Sequence, residues 1–308
     1  MSDLSIDLGS LKLKNPIIAA SGTFGYGVEF TSFLDLNKLG GFVVKGLYYE
    51  PREGNPPPRL VETASGLINA IGLQGIGVKN FSEKILPQIR DFDTALIVNV
   101  CGDDENEYAR VAGYLEKKEG ISAYELNISC PNIKKDGRNP AQDPEDTYRV
   151  VRSVKQVSSR PVIAKLSPNV TDITVIAQSA QEAGADAVSL VNTFLAMAVD
   201  VETVKPKLAN VFGGLSGPAI KPIALRMVYQ AFRRLQIPVV GIGGIMTAED
   251  ALEFFYAGAR AVQIGTANFV QPDITLQILD DLVLHCRRSG ISRIEDIIGK
   301  IHADSSGQ

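Results

Sequence analysis

The stretch ELNISCPN, residues 125–132, sets a thiol beside a proline and between two asparagines, at the end of an apolar run. Cys130 is one of three cysteines in 308 residues. A thiol with a reference pKa of about 8.5 can accept a proton near neutral pH when nearby cations favour the thiolate. Alternatively it attacks as a covalent nucleophile, a role that usually needs an activating base. The two histidines, His285 and His302, both lie near the C-terminus. A histidine base or a Ser–His–Asp triad therefore has poor starting material. Cys101 and Cys286 read as buried packing residues.

Lys45 in VVKG and Lys165 in IAKLS each close an apolar run. Such a lysine either snorkels to a rim or faces an anionic partner. Two glycine turns, at Gly243-Gly244 and Gly265-Thr266, can aim backbone N–H groups at phosphate oxygens, or simply allow tight turns. GIGGI departs from GxGxxG because Met246 takes the last glycine's place, so a mononucleotide phosphate fits better than a dinucleotide. A flavin that takes up a hydride gains negative charge, which a fixed ammonium stabilises. Asn69, Asn127, Asn132 and Asn192 offer amides that suit a flat ring with alternating C=O and N–H edges. Asn132, beside Pro131, also reads as a turn former. Asn127 and Asn192 fall inside strand patterns, where asparagine is disfavoured. These residues are poor in carboxylates and histidines, which argues against a divalent-metal site or a glycosidase carboxylate pair.

Eight short apolar runs must carry these groups: 15–21, 41–46, 95–100, 123–129, 161–167, 187–193, 238–244 and 261–266. Each is nearly continuous in hydrophobicity, as expected of parallel strands covered on both faces. Helical periodicity fills 77–90, 104–118, 171–183, 219–235 and 271–289. Thr247 in TAED reads as an N-cap with Asp250 three residues on, and the glycine of EAGAD stops a helix. The pattern predicts an α/β fold, a (β/α)8 TIM barrel with insertions at the C-terminal face of the strands. That face collects Ser21-Gly22, Lys45-Gly46, Asn99, Asn127 with Cys130, Lys165 and Asn192-Thr193, together with the two glycine turns. The connections 47–76, 131–142 and 194–218 are too long for plain turns and all follow strand ends. With no linker or low-complexity tract, residues 1–308 read as a single barrel domain.

Hydrophobic residues make up 45% of the chain and charged residues 21%, with a formal net charge of −4. Basic residues are scattered, so no nucleic-acid footprint is expected. No apolar run approaches the ~20 residues of a membrane span, and there is no signal-peptide core. The cysteines form no CxxC pair, which argues against iron–sulfur, zinc or disulfide sites and suits a reducing cytoplasm.

NISCPN, NAIGLQ (69–74), AKLSPNVTDI (164–173), VNT (191–193), GGLSGPAIKPIALR (213–226), GIGGI and QIGTANF together resemble the class 1 dihydroorotate dehydrogenases, with the B type nearest. The resemblance runs from about residue 4 to about residue 299. It implies an FMN-binding barrel that oxidises dihydroorotate to orotate in pyrimidine synthesis. Cys130 would be the base that removes a ring proton while a hydride passes to the flavin. Lys45, Asn69, Ala70, Ile71, Gly72, Leu73, Asn127, Asn192 and Thr193 would contact the substrate. Ser21, Lys45, Gly46, Asn99, Asn127, Lys165, Val191, Gly217, Gly243, Gly244, Gly265 and Thr266 would contact FMN. The electron acceptor would be NAD, reached through a partner subunit carrying FAD and a 2Fe–2S cluster in a heterotetramer with two of each chain.

One departure lies after the cysteine. B-type relatives have a glycine-rich loop ending FGTDP there, whereas this chain reads IKKDGRNPAQDP, with Ala141-Gln142 in place of Gly-Thr. A fumarate-linked A-type enzyme and a non-catalytic phosphate-binding barrel are the competing readings. SCPN rather than SCPH argues against a dihydropyrimidine dehydrogenase, and a cysteine rather than a serine argues against the quinone-linked class 2 enzymes.

Overall fold

Short runs of Val, Ile, Leu and Ala, buried on both faces, form the inner wall of a closed parallel barrel in the computed structural model, which describes residues 2–128 and 142–301. In chain order the strands are β1 (Ile6–Leu8), β2 (Leu11–Leu13), β3 (Ile17–Ala19), β4 (Gly41–Leu47), β5 (Leu60–Thr63), β6 (Gly66–Asn69), β7 (Ala95–Val100) and β8 (Ala123–Asn127). They continue with β9 (Val162–Lys165), β10 (Ala187–Leu190), β11 (Phe194–Met197), β12 (Val199–Asp200), β13 (Lys205–Pro206), β14 (Phe212–Ser216), β15 (Val239–Ile242) and β16 (Ala259–Ile264). The barrel runs β3-β4-β7-β8-β9-β10-β15-β16 and closes by pairing β16 with β3. These are the eight expected strands, so the (β/α)8 reading holds.

The helices are α1 (Gly77–Asn80), α2 (Leu86–Ile89), α3 (Glu105–Leu115), α4 (Pro144–Lys155), α5 (Ile173–Glu182), α6 (Lys221–Arg234), α7 (Ala248–Tyr256), α8 (Ala267–Val270) and α9 (Ile274–Arg288). Local chemistry sets several of their ends. Thr247 accepts from the Asp250 amide while the Asp250 carboxylate accepts from the Thr247 amide, a complete capping box. Asp104, Asp143 and Asp172 cap α3, α4 and α5 by accepting from amides in the first turn. Buried side chains of these helices, such as Val111, Val151, Ile176, Val228 and Phe254, pack on the outside of the barrel in one continuous apolar core.

The structure adds features that the sequence pattern did not announce. No α-helix follows β3: the glycine-rich 22–27 region leads only to short 3-10 turns at Val28–Phe30 and Leu36–Lys38. The helical stretch expected over 77–90 is interrupted by a π-helical turn at Phe81–Ile85, just before Pro87, which has no amide hydrogen to donate. A hairpin, β1–β2, precedes the barrel, and α4 supplies the helix that the repeat calls for between β8 and β9. The two long connections 47–76 and 194–218 do not run separately. They meet in one antiparallel sheet, ordered β11-β14-β6-β5, with a small β12–β13 hairpin beside it. No helix among the described residues is long and apolar enough to cross a membrane.

Candidate active site

Lys45 owes its position to a break in the ladder. The β4–β7 register shifts between Val44 and Leu47, and the Lys45 amide bonds to the Gly25 carbonyl at 2.7 Å. A bulge of this kind re-aims a side chain near a sheet end. Burial, and then the nearby Arg59 guanidinium, hold the Lys45 ammonium below the usual lysine range, against a weaker pull from Glu29. Its Nζ makes no hydrogen bond or ion pair with any described residue. A half-buried cation of this sort is suited to an anionic guest. The next residue, Gly46, has no room for a side chain, since a Cβ there would lie 2.8 Å from Cys101 Sγ and 3.0 Å from Asn99 Oδ1.

Lys165 ends β9 and is 6% exposed. Its Nζ lies 3.5 Å from Ser21 Oγ and 3.5 Å from Glu125 Oε1. The anion it faces inside the protein is therefore Glu125, a residue the sequence reading passed over. Glu125 is fully buried, and four side chains bond to it or pair with it. These are Lys165, Asn99 Nδ2 at 2.8 Å, Ser189 Oγ at 3.1 Å and Gln263 Nε2 at 2.5 Å. Gln263 stands on β16, across the barrel from β8, so the carboxylate lies near the axis. The expectation of a site poor in carboxylates is corrected at this point. A charged residue inside the apolar run AYELN was the available signal.

Of the four amides singled out in the sequence, Asn127 and Asn192 meet directly. Asn192 Nδ2 donates to Asn127 Oδ1 at 3.3 Å, and the Thr193 amide donates to Asn192 Oδ1 at 2.8 Å. Backbone bonds from Val191 to the Ile242 carbonyl and from Asn192 to the Leu166 carbonyl fix this segment between its neighbours. The Val191 side chain itself is buried in the core. Asn69 ends β6 and donates to the Gly214 carbonyl at 3.2 Å. After it, Asn55 bonds both the Ala70 and Ile71 carbonyls, Gly72 turns against Asn55, and Leu73 adopts a left-handed φ of 53°. A leucine in that conformation is held there by its surroundings.

The glycine turns also come together. Thr266 Oγ1 donates to Ser216 Oγ at 2.8 Å. Gly217, at φ 96°, lies so close to Gly244 that a Cβ on Gly244 would sit 2.9 Å from the Gly217 carbonyl oxygen. Gly243 abuts Ala224 of α6. By contrast, a Cβ on Gly265 would meet nothing nearer than Ala20 Cβ at 3.9 Å, and one on Gly22 would meet nothing within 4 Å. A tight glycine corner beside open glycine faces, with lysines and amides along the same rim, fits a phosphate-bearing planar ligand such as FMN. Lys221, just beyond Gly217, is committed elsewhere, to Asp250 at 2.6 Å and Glu253 at 2.8 Å.

Cys130, Asn132 and the connection through residue 141 lie outside the described residues. Cys101 is buried as expected, yet it also touches the site, with Sγ 3.6 Å from Asn99 Oδ1 and 3.7 Å from Asn127 Nδ2. Among the described residues no group of three or more His, Cys, Asp or Glu side chains could hold a metal ion.

Residues 3–285 match the family model described as dihydroorotate dehydrogenase. A protein of Thermoanaerobacter sp. (strain X514), named dihydroorotate dehydrogenase B (NAD(+)), catalytic subunit, is 50% identical over 302 residues, covering 98% of this chain and all of that protein. Proteins of the same name from Maridesulfovibrio salexigens and Bacteroides thetaiotaomicron are 51% and 50% identical. The first covers 97% of this chain and 98% of its own length, the second 98% and 99%.

Proposed function

This chain belongs to the dihydroorotate dehydrogenase family, and from that premise we propose that it is the catalytic subunit of an NAD-linked enzyme oxidising dihydroorotate to orotate in pyrimidine biosynthesis. The observation that supports this best is the gathering of Lys45, Asn69, Asn127, Asn192 and Thr193 at the barrel end that also carries Lys165 and the glycine corner.

FMN, when bound, supplies the acceptor for the hydride. Ser21, Gly46, Asn99, Val191, Gly217, Gly243, Gly244, Gly265 and Thr266 would hold it, with Lys165 and Lys45 facing its polar edge. Asn127, Asn192 and Asn69 read the C=O and N–H edges of the pyrimidine ring, each amide able to donate and accept. Lys45, whose Nζ makes no hydrogen bond or ion pair with any described residue, holds the negative charge of the substrate. The 69–73 turn, pinned through Asn55, orients the ring. The Cys130 thiolate takes the ring proton as the hydride departs, which splits C–H cleavage between a base and an acceptor.

In this proposal the whole of 1–308 is one FMN-binding barrel in the cytoplasm. Its electrons pass to NAD through a second subunit bearing FAD and a 2Fe–2S cluster, two copies of each chain forming the assembly. The test is direct. The purified chain should be yellow, release FMN on denaturation, and bleach on addition of dihydroorotate. Turnover with fumarate by the chain alone would overturn the NAD-linked assignment, and absence of flavin would overturn the enzyme. Cys130→Ala should keep FMN and orotate binding yet slow flavin reduction by about 10²–10⁴-fold. Reduction near the wild-type rate would remove Cys130 from the role of base.

A further inference from the structure

We infer that Glu125 is a positioning residue whose buried negative charge, paired with Lys165, sets how readily the bound flavin accepts electrons; this rests on the FMN reading above. The carboxylate is fully buried; Asn99, Ser189 and Gln263 donate to it from β7, β10 and β16, and Lys165 pairs with it from β9. Three hydrogen bonds and an ion pair fix this carboxylate in place.

Its placement goes beyond packing. Lys165 bridges Glu125, near the barrel axis, and Ser21, just past the end of β3 on the rim assigned to FMN. Asn99 also spends its Nδ2 on Glu125, leaving Oδ1 toward Cys101 and the space beside Gly46. Both FMN-facing side chains are thus oriented from below by the same anion. The ion pair is nearly neutral as a unit, so Glu125 offsets part of the field that Lys165 would otherwise exert on a reduced flavin. A fixed charge in a water-poor interior is felt over several ångströms.

Glu125→Gln tests this with little change of shape. The new amide can donate to Gln263 Oε1, a buried atom without a hydrogen-bond partner among the described residues, if the Gln263 amide turns over. In the FMN-loaded variant, the flavin midpoint potential should become more positive than in wild type. Sulfite, which binds oxidised flavins more tightly beside uncompensated positive charge, should bind at least about tenfold more tightly, the scale of one charge at an effective dielectric of about 20. Glu125→Asp, which keeps the charge, should stay closer to wild type on both measures. If Glu125→Gln does not accumulate, the double variant Glu125→Gln/Lys165→Gln is compared with Lys165→Gln. The double should then have the more positive potential. Unchanged potential and sulfite affinity in flavin-loaded Glu125→Gln, or equal potentials in the second comparison, would sink the inference while leaving the FMN reading intact. A wild-type chain that binds no FMN fails the reading itself.

Discussion

Asn192 Nδ2 donates to Asn127 Oδ1 across 3.3 Å, joining the ends of two barrel strands through a pair of amides that neither strand pattern favours. Each amide fixes which face the other turns to a ligand. Asn192→Ala should weaken orotate binding about tenfold, the loss of one or two net hydrogen bonds. Asn192→Asp, of equal size, should weaken it further by setting a carboxylate against both Asn127 Oδ1 and an anionic ligand. Titrating the orotate-induced change in the flavin spectrum measures both, and equal affinity in all three proteins would contradict the assignment.

The lowered pKa of Lys45 gives a pH signature. Folding disfavours its protonated form, so the charge costs stability below the folded pKa, and that cost fades as pH rises through it toward the ordinary lysine value. In the proposed site orotate would need the ammonium. Its affinity should be flat at lower pH and then fall, by up to about tenfold per pH unit, beginning below the pH at which an ordinary lysine deprotonates. Lys45→Arg should abolish the fall within the measurable range, and Lys45→Gln should give weak, pH-independent binding.

Lys165→Gln leaves the Glu125 carboxylate buried without its cation. Removing one partner of such a pair typically costs about 3–5 kcal/mol, and urea unfolding of the FMN-free chain should show a loss on that scale. The neutral double variant Lys165→Gln/Glu125→Gln should recover part of it.

Two glycines separate a structural need from a ligand's need. Gly244→Ala forces a side chain into φ 71° and to 2.9 Å from both the Gly217 oxygen and the Lys221 nitrogen, so it should destabilise the FMN-free chain by at least about 1–2 kcal/mol. Gly265→Ala meets no such obstacle. It should leave the FMN-free chain within about 0.5 kcal/mol of wild type while weakening FMN binding at least tenfold. Normal FMN affinity in Gly265→Ala would move the flavin away from this corner.

The barrel was legible because each inner strand is buried on both faces and so reads as an unbroken apolar run; Val43, Ile97, Val162 and Val262 need no partner in sequence to be recognised. Caps such as Thr247 with Asp250 were equally plain, since a cap is a local bargain between side chain and amide. What stayed hidden depends on neighbours distant in the chain. β6 and β14 are short and half-exposed, and only their mutual pairing makes them a sheet. Glu125 went unremarked in its apolar strand because its partners stand 26, 40, 64 and 138 residues away. Asn69, Asn127, Asn192 and the glycine turns could be placed at strand ends from the sequence, but nothing local foretold that Asn192 would lean on Asn127 or that Gly217 would meet Gly244.

The ladder between β6 and β14 has a mechanical consequence. It fastens the ring-orienting turn after Asn69 to the strand that delivers Gly217 to the phosphate corner. Displacing one must tug on the other, so in the proposed enzyme the hold on the ring and the hold on the phosphate would be coupled through a single strand pairing.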